Sequence, residues 1–161
     1  MAGYANVCLL RSVLEKQAGH IEDEFSALRD FLQSRLRSAI FEPPTSEKEV
    51  QNAVEQLLIG RGLQKGQDYD REVGRVKVSA KEVIPDFVLP PISTAIEVKI
   101  IKDASRVKTV IDEINADIGA YSSKYERIIF LVYDLGFIRD EVEFRQGLES
   151  PGNVALVIVK Q

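Results

Sequence analysis

The chain has 161 residues, 45% hydrophobic and 29% charged, with a net charge of −4, one cysteine and one histidine. That length supports one good core with a small helical annex, and the charged fraction is that of a folded domain, not a disordered one. Cys8 alone excludes a disulfide framework or a cysteine-built zinc site, His20 alone removes most hydrolytic schemes built on histidine, and the acidic balance argues against coating nucleic acid by bulk charge.

No apolar run approaches transmembrane length, and the start of the chain lacks the basic region and small-residue cleavage site of a signal peptide. A reducing, cytoplasmic setting is therefore expected. Apolar residues at helical spacing predict a helix over residues 5–17, which Ala18-Gly19-His20 interrupts. A longer amphipathic helix is predicted over 21–41, with Ile21, Phe25, Leu28, Phe31, Leu32, Leu36 and Ile40 on one stripe. Pro43-Pro44 stops it and sets a boundary between an N-terminal helical segment, 1–44, and a second unit, 45–161. The helix that opens this unit begins at Thr45-Ser46. Ser46 and Glu49 have capping-box spacing, and Val50, Ala53, Val54, Leu57 and Leu58 form the buried stripe.

From Tyr69 the period shifts toward two. Residues 70–78 read as a strand or bent hairpin, followed by strands over 84–89 and 95–101. Residues 105–121 return to helical spacing, and Arg127–Tyr133 is a continuous apolar run suited to a central, doubly covered strand. A short helix near 140–146 and a strand over 153–159 complete the chain. The predicted class is α/β: helix, three strands, helix, strand, helix, strand, forming a mixed sheet flanked by helices, with an N-terminal helical pair.

The chemistry concentrates between Ile84 and Lys102, IPDFVLPPISTAIEVKIIK. Side chains two apart in a strand share a face, so Glu97 and Lys99 project together while Ile96, Val98 and Ile100 pack on the other. A Glu and a Lys in a buried type of strand are costly unless they have a task. With Asp86 on the preceding strand, they suit a divalent cation and a scissile phosphate, as in a metal-dependent nuclease. Mg²⁺ takes carboxylate and carbonyl oxygens, so the direct ligands are read as Asp86, Glu97 and the backbone carbonyl of Val98. Lys99 would orient the attacking water and stabilise charge at the phosphate. Glu47, three and seven residues before Val50 and Val54, is placed above the buried stripe, where it can serve a second ion.

In order, SEKEVQNAVEQLL, PDFVLP, TAIEVKIIKD, INADIGAY and IIFLVYDLG resemble the PD-(D/E)xK nuclease superfamily, specifically restriction-endonuclease-like domains of the DpnII/MboI type. The resemblance runs from about Ser46 to Lys160. It implies Mg²⁺-dependent cleavage of nucleic acid, with Mn²⁺ as a substitute ion. Asp86, Glu97 and Lys99 fall in the catalytic positions and Glu47 at the helical acidic position. Asp117 and Tyr121 fall at recurrent polar positions of the helix after the third strand. Residues 69–81 and the first 44 residues have no counterpart in the family pattern.

Lys102, Arg106 and Lys108 follow the catalytic strand and are candidate phosphate-backbone contacts, with Arg71, Arg75, Lys77 and Lys81 as a second basic group. Glu49 has a sufficient reason in capping, Glu55 is read as solvated, His20 as a linker residue, and Asp134 as the organiser of a turn. The N-terminal stripe exceeds what a lone helix leaves exposed, so it packs on the core or makes a homodimer or partner contact. The leading expectation is an endonuclease acting on DNA in restriction or anti-phage defence. A catalytically inactive nucleic-acid-binding or assembly module with the same fold is the alternative, against which the complete Asp/Glu/Lys set weighs.

Overall fold

A computed structural model describes residues 2–78, 81–149 and 152–161, with the side chains of residues 2–6 and of Lys81 outside the described set. The first helix, α1, runs unbroken over Ala2–Ala39. The predicted N-terminal pair is thus one helix, and His20 lies within it instead of in a linker. Gly19 costs only about 1 kcal/mol relative to alanine in a helix, and 18–20 contains neither a proline nor a stop signal strong enough to end it. The two halves of α1 differ. Phe25, Leu28, Leu32 and Leu36, with Ile40 just past the helix end, belong to the main core, while Val7, Leu9, Leu10, Val13 and Leu14 are exposed.

Helix α2 spans Glu47–Gly60, capped by Ser46, whose hydroxyl accepts from the Glu49 backbone N–H. The Glu49 carboxylate reaches back to the Thr45 backbone N–H at 3.0 Å, so its role is the expected cap. The five-stranded sheet has the order β1-β4-β5-β6-β7. Its members are β1 (Asp70–Arg71), β4 (Phe87–Leu89), β5 (Thr94–Ile101), β6 (Arg127–Asp134) and β7 (Val154–Lys160). β5, β6 and β7 run parallel, and β4 is antiparallel to both β5 and β1. The mixed sheet matches the predicted class. The segment 70–78, however, divides: its end pairs as β2 (Val76–Val78) with β3 (Lys81–Val83) in a separate hairpin.

The sheet is covered on both faces. Ile96, Val98, Ile100, Ile129, Leu131, Tyr133 and Val157 share one core with α1 and α2. Ile101, Ile128, Phe130, Val132 and Ile158 share the other with α3 (Ala104–Tyr121) and with Phe144 of the short α4 (Glu141–Arg145). Double coverage explains why β6 reads as an apolar run without alternation. Asp134 ends β6 and accepts from the N–H groups of Phe137 and Ile138 at 2.8 and 3.1 Å, organising the turn as expected. No helix among the described residues is long and apolar enough to cross a membrane.

Candidate active site

The β4–β5 ladder ends where Phe87 faces Ile96. Pro85 lacks an N–H and cannot extend it, and Asp86 turns inward instead. Its backbone N–H donates to Glu97 Oε2 at 3.3 Å, and its carbonyl accepts from the Glu72 N–H at 2.9 Å. Its carboxylate then takes the place of the missing strand: Oδ2 accepts from the Val98 N–H at 2.7 Å. Two residues on, Glu47 Oε1 accepts from the Ile100 N–H at 3.4 Å. Both acids therefore sit on the open edge of β5. The N–H and C=O of a strand residue point to the same side, so the Val98 carbonyl shares that edge.

Glu97 and Lys99 project from β5 toward α3, as alternation predicts. Lys99 Nζ lies 3.0 Å from Glu97 Oε1, 2.9 Å from Asp117 Oδ2 and 3.9 Å from Glu113 Oε2. Tyr121 donates its hydroxyl to Glu97 Oε2 at 3.0 Å. Residues 113, 117 and 121 are four apart, so one face of α3 presents Glu113, Asp117 and Tyr121 to the strand. The structure thus brings Asp86, Glu97, Lys99, Asp117 and Tyr121 into one contact network, with Glu47 on the adjoining stretch of the same edge.

Burial dominates the electrostatics. Desolvation pushes the Asp86 carboxyl up to about 6, with the Val98 N–H and Lys99 opposing the rise. It pushes Glu97 up to about 7, and the nearby Asp86 charge adds to the rise. Burial works against the charge of Lys99, but Glu97 and Asp117 outweigh it and hold the ammonium well above its ordinary range. Burial, then Glu97 and Asp117, keep the Tyr121 hydroxyl protonated. Two desolvated, mutually repelling carboxylates are a site in want of positive charge.

The donor set fits a hard divalent cation. Asp86, Glu97 and the Val98 carbonyl offer oxygen only, and Mg²⁺ is commonly held by one or two carboxylates plus water and substrate phosphate. Among the described residues, no group of three or more His, Cys, Asp or Glu is placed to hold a metal ion. A cation held by Asp86, Glu97 and the Val98 carbonyl would therefore need water or substrate oxygens to complete its shell.

The basic candidates separate. Lys102 Nζ donates to the Thr45 carbonyl at 3.0 Å and, with Arg106, lines a cleft of about 520 Å³ beside Glu47. Arg106 is engaged by Glu113 at 3.1 Å and lies 4.0 Å from Glu47. Lys108 is exposed and two residues beyond Arg106, which turns it to another side of α3. Arg75 and Lys77 belong to the hairpin region; Arg75 lies 3.5 Å from Glu82, and Lys77 faces Glu82 in the ladder. Arg71 is no free basic group, because Nη1 lies 2.8 Å from Glu55 Oε2. That pair also corrects the expectation for Glu55, which is not solvated but accepts from Arg71, Lys65 and Tyr69.

Sequence reasoning missed Gln51 and Glu113. Gln51 Nε2 donates to Asp86 Oδ1 at 2.7 Å. The signal was present: Glu47, Gln51 and Glu55 recur every four residues beside the apolar stripe of α2, as Glu113, Asp117 and Tyr121 do on α3. No curated protein and no solved structure matches the chain. The family model for DpnII-MboI restriction endonucleases (REase_DpnII-MboI) matches residues 46–161. Since that match covers well over half of the chain and every residue gathered around Asp86 and Lys99, the protein belongs to the DpnII-MboI restriction endonuclease family.

Proposed function

We propose that the protein is a Mg²⁺-dependent endonuclease that hydrolyses phosphodiester bonds of DNA, acting in restriction or anti-phage defence, with Asp86, Glu97, Lys99 and Glu47 as its working residues. The observation that carries this reading is the half-buried Asp86–Glu97 pair beside a charged Lys99, on the strand whose next residue, Ile100, lines a cleft together with Glu47, Lys102 and Arg106. The nuclease unit spans 45–161, and α1 supplies packing through one half and association through the other.

Bound Mg²⁺ neutralises phosphate charge and makes a water more acidic. Asp86, Glu97 and the Val98 carbonyl would hold it, with Glu47 serving a second ion or its water shell. Lys99 works as a fixed cation: held protonated between Glu97 and Asp117, it keeps one N–H to donate to the attacking water, its charge favours the charge growing on the phosphate, and it takes up no proton. Asp117 holds Lys99 in place, and Tyr121 holds Glu97. Lys102 and Arg106 line the route of the phosphate backbone, Arg75 and Lys77 of the hairpin region lie farther out along the substrate, and Lys108, on another side of α3, is left out of that path.

The deciding experiment is a cleavage assay over duplex, branched and single-stranded DNA and RNA with Mg²⁺, Mn²⁺ or EDTA. Metal-dependent cutting of DNA is expected. Metal-independent binding with no turnover on any substrate would instead establish a non-catalytic binding module.

A pH dependence follows from the raised carboxyls. Their ordinary values are 3.8 and 4.5, and they stand near 6 and 7 in the folded protein. The folded state therefore binds protons more readily than the unfolded chain, so this pair's stabilising contribution is complete below about pH 4 and is lost as pH rises through 6 to 7. In melts with EDTA, stability from this source should fall between pH 5 and 8. Added Mg²⁺ should raise the melting temperature at pH 8 and have little effect at pH 5, and cleavage should climb through pH 6–7. An equal Mg²⁺ shift at both pH values would contradict the assignment.

The projecting half of α1 supports a homodimer. Val7, Leu10 and Leu14 are 65%, 61% and 55% exposed, and their three-four spacing is that of a helix–helix seam, which Ala18 and Ile21 extend. Such a stripe can meet itself in a second copy, burying the same residues on both sides. Wild-type protein should sediment at twice the chain mass, and the double variant Leu10→Glu/Leu14→Glu at one chain mass with its melting temperature kept. A wild-type monomer at high micromolar concentration would exclude the dimer.

A further inference from the structure

We infer that Gln51 and Arg71 form a positioning relay that fixes the Asp86 carboxylate for cation binding, an inference that rests on the reading of Asp86 as a cation ligand. Gln51 lies on α2 midway between Glu47 and Glu55 and is only 9% exposed. Its Nε2 donates to Asp86 Oδ1 at 2.7 Å, and its Oε1 accepts from Arg71 Nη2 at 3.0 Å.

An amide can be turned either way, but a guanidinium only donates. Arg71 therefore dictates which end of Gln51 faces it: the oxygen must meet Arg71, and the NH₂ must meet Asp86. Arg71 is itself held. Its Nη1 donates to Glu55 Oε2 and Asn52 Oδ1, both at 2.8 Å, and its guanidinium lies 5.7 Å from the Phe87 ring centroid. Glu55 is anchored in turn by Lys65 at 3.0 Å and by Tyr69 at 3.2 Å.

The directed chain thus runs from Glu55 through Arg71 and Gln51 to Asp86. With Oδ1 held by Gln51 and Oδ2 by the Val98 N–H at 2.7 Å, the carboxylate cannot rotate. An ionised carboxylate has about four acceptor positions, so free lone pairs remain on both oxygens for a cation. Gln51 and Arg71 act only through Asp86, and Arg71 only through Gln51.

The test is a Mn²⁺ titration, by calorimetry, of wild type, Asp86→Ala, Gln51→Leu, Arg71→Met and the Gln51→Leu/Arg71→Met pair, each checked by thermal melt. Gln51→Leu should weaken Mn²⁺ binding roughly 10–100-fold, the range typical of residues that orient a metal ligand. Arg71→Met should weaken it less, and the double variant should bind like Gln51→Leu alone. If Gln51→Leu does not fold, Gln51→Met carries the same expectation. Cleavage by Gln51→Leu should recover at high Mn²⁺, whereas that of Asp86→Ala should not. Wild-type affinity in Gln51→Leu alongside a loss in Asp86→Ala would overturn the relay alone, as would fully additive losses in the double variant. Unchanged Mn²⁺ affinity in Asp86→Ala would overturn the relay together with the reading of Asp86 beneath it.

Discussion

Replacing Asp86 by Ala should reduce cleavage at least about 10³-fold while leaving the protein folded. The loss corresponds to about 4 kcal/mol of transition-state stabilisation at 1.36 kcal/mol per factor of ten, within what a bound metal ion supplies. Stability should behave otherwise. At pH 8 in EDTA the ionised Asp86 is desolvated against its own preference and raises the cost of charging Glu97. Removing it relieves that repulsion but leaves the Val98 N–H and the Gln51 amide without their acceptor, so the metal-free melting temperature should change little, and added Mg²⁺ should no longer shift it. Steady-state cleavage and melts with and without Mg²⁺ check both halves. Persistent Mg²⁺-dependent cutting by pure Asp86→Ala protein would end the assignment.

Lys99→Met should remove activity and stability together. Lys99 is 8% exposed and stands between the Glu97 and Asp117 carboxylates at 3.0 and 2.9 Å. Taking away one partner of a buried ionic group leaves the others uncompensated, which typically costs about 3–5 kcal/mol. Urea denaturation at pH 8 should register a loss of that order, and adding Asp117→Asn should return part of it without restoring cleavage. A Lys99→Met protein as stable as wild type would mean that the three charges do not depend on one another. The contrast between the two variants separates a residue whose burial opposes folding from one on which its neighbours rely.

Much of the fold was readable because each strand and helix carries its own period. The apolar run of β6, the alternation that sends Glu97 and Lys99 to one face of β5, and the Ser46–Glu49 cap are local patterns, and local backbone geometry enforces them. The misreadings share a different origin. Ala18-Gly19-His20 resembles a break, yet a glycine alone is too weak to end α1. Glu55 and Arg71 each look solvated in isolation and become a half-buried pair only when the fold brings α2 beside β1.

The sequence by itself determined the α/β class, the shared face of Glu97 and Lys99 on β5, and the family, because residue type and spacing carry those directly. Only the tertiary structure decided how the acids are held. The β4–β5 ladder stops at Phe87 and Ile96, leaving N–H groups that Asp86 and Glu47 satisfy. It also brings the four-residue stripes of α2 and α3 against opposite sides of β5, joining Gln51 to Asp86 across 35 positions and Tyr121 to Glu97 across 24. Such contacts depend on where the sheet ends and how the helices lie across it. Burial then sets the charge states, since desolvation exists only once both faces are covered.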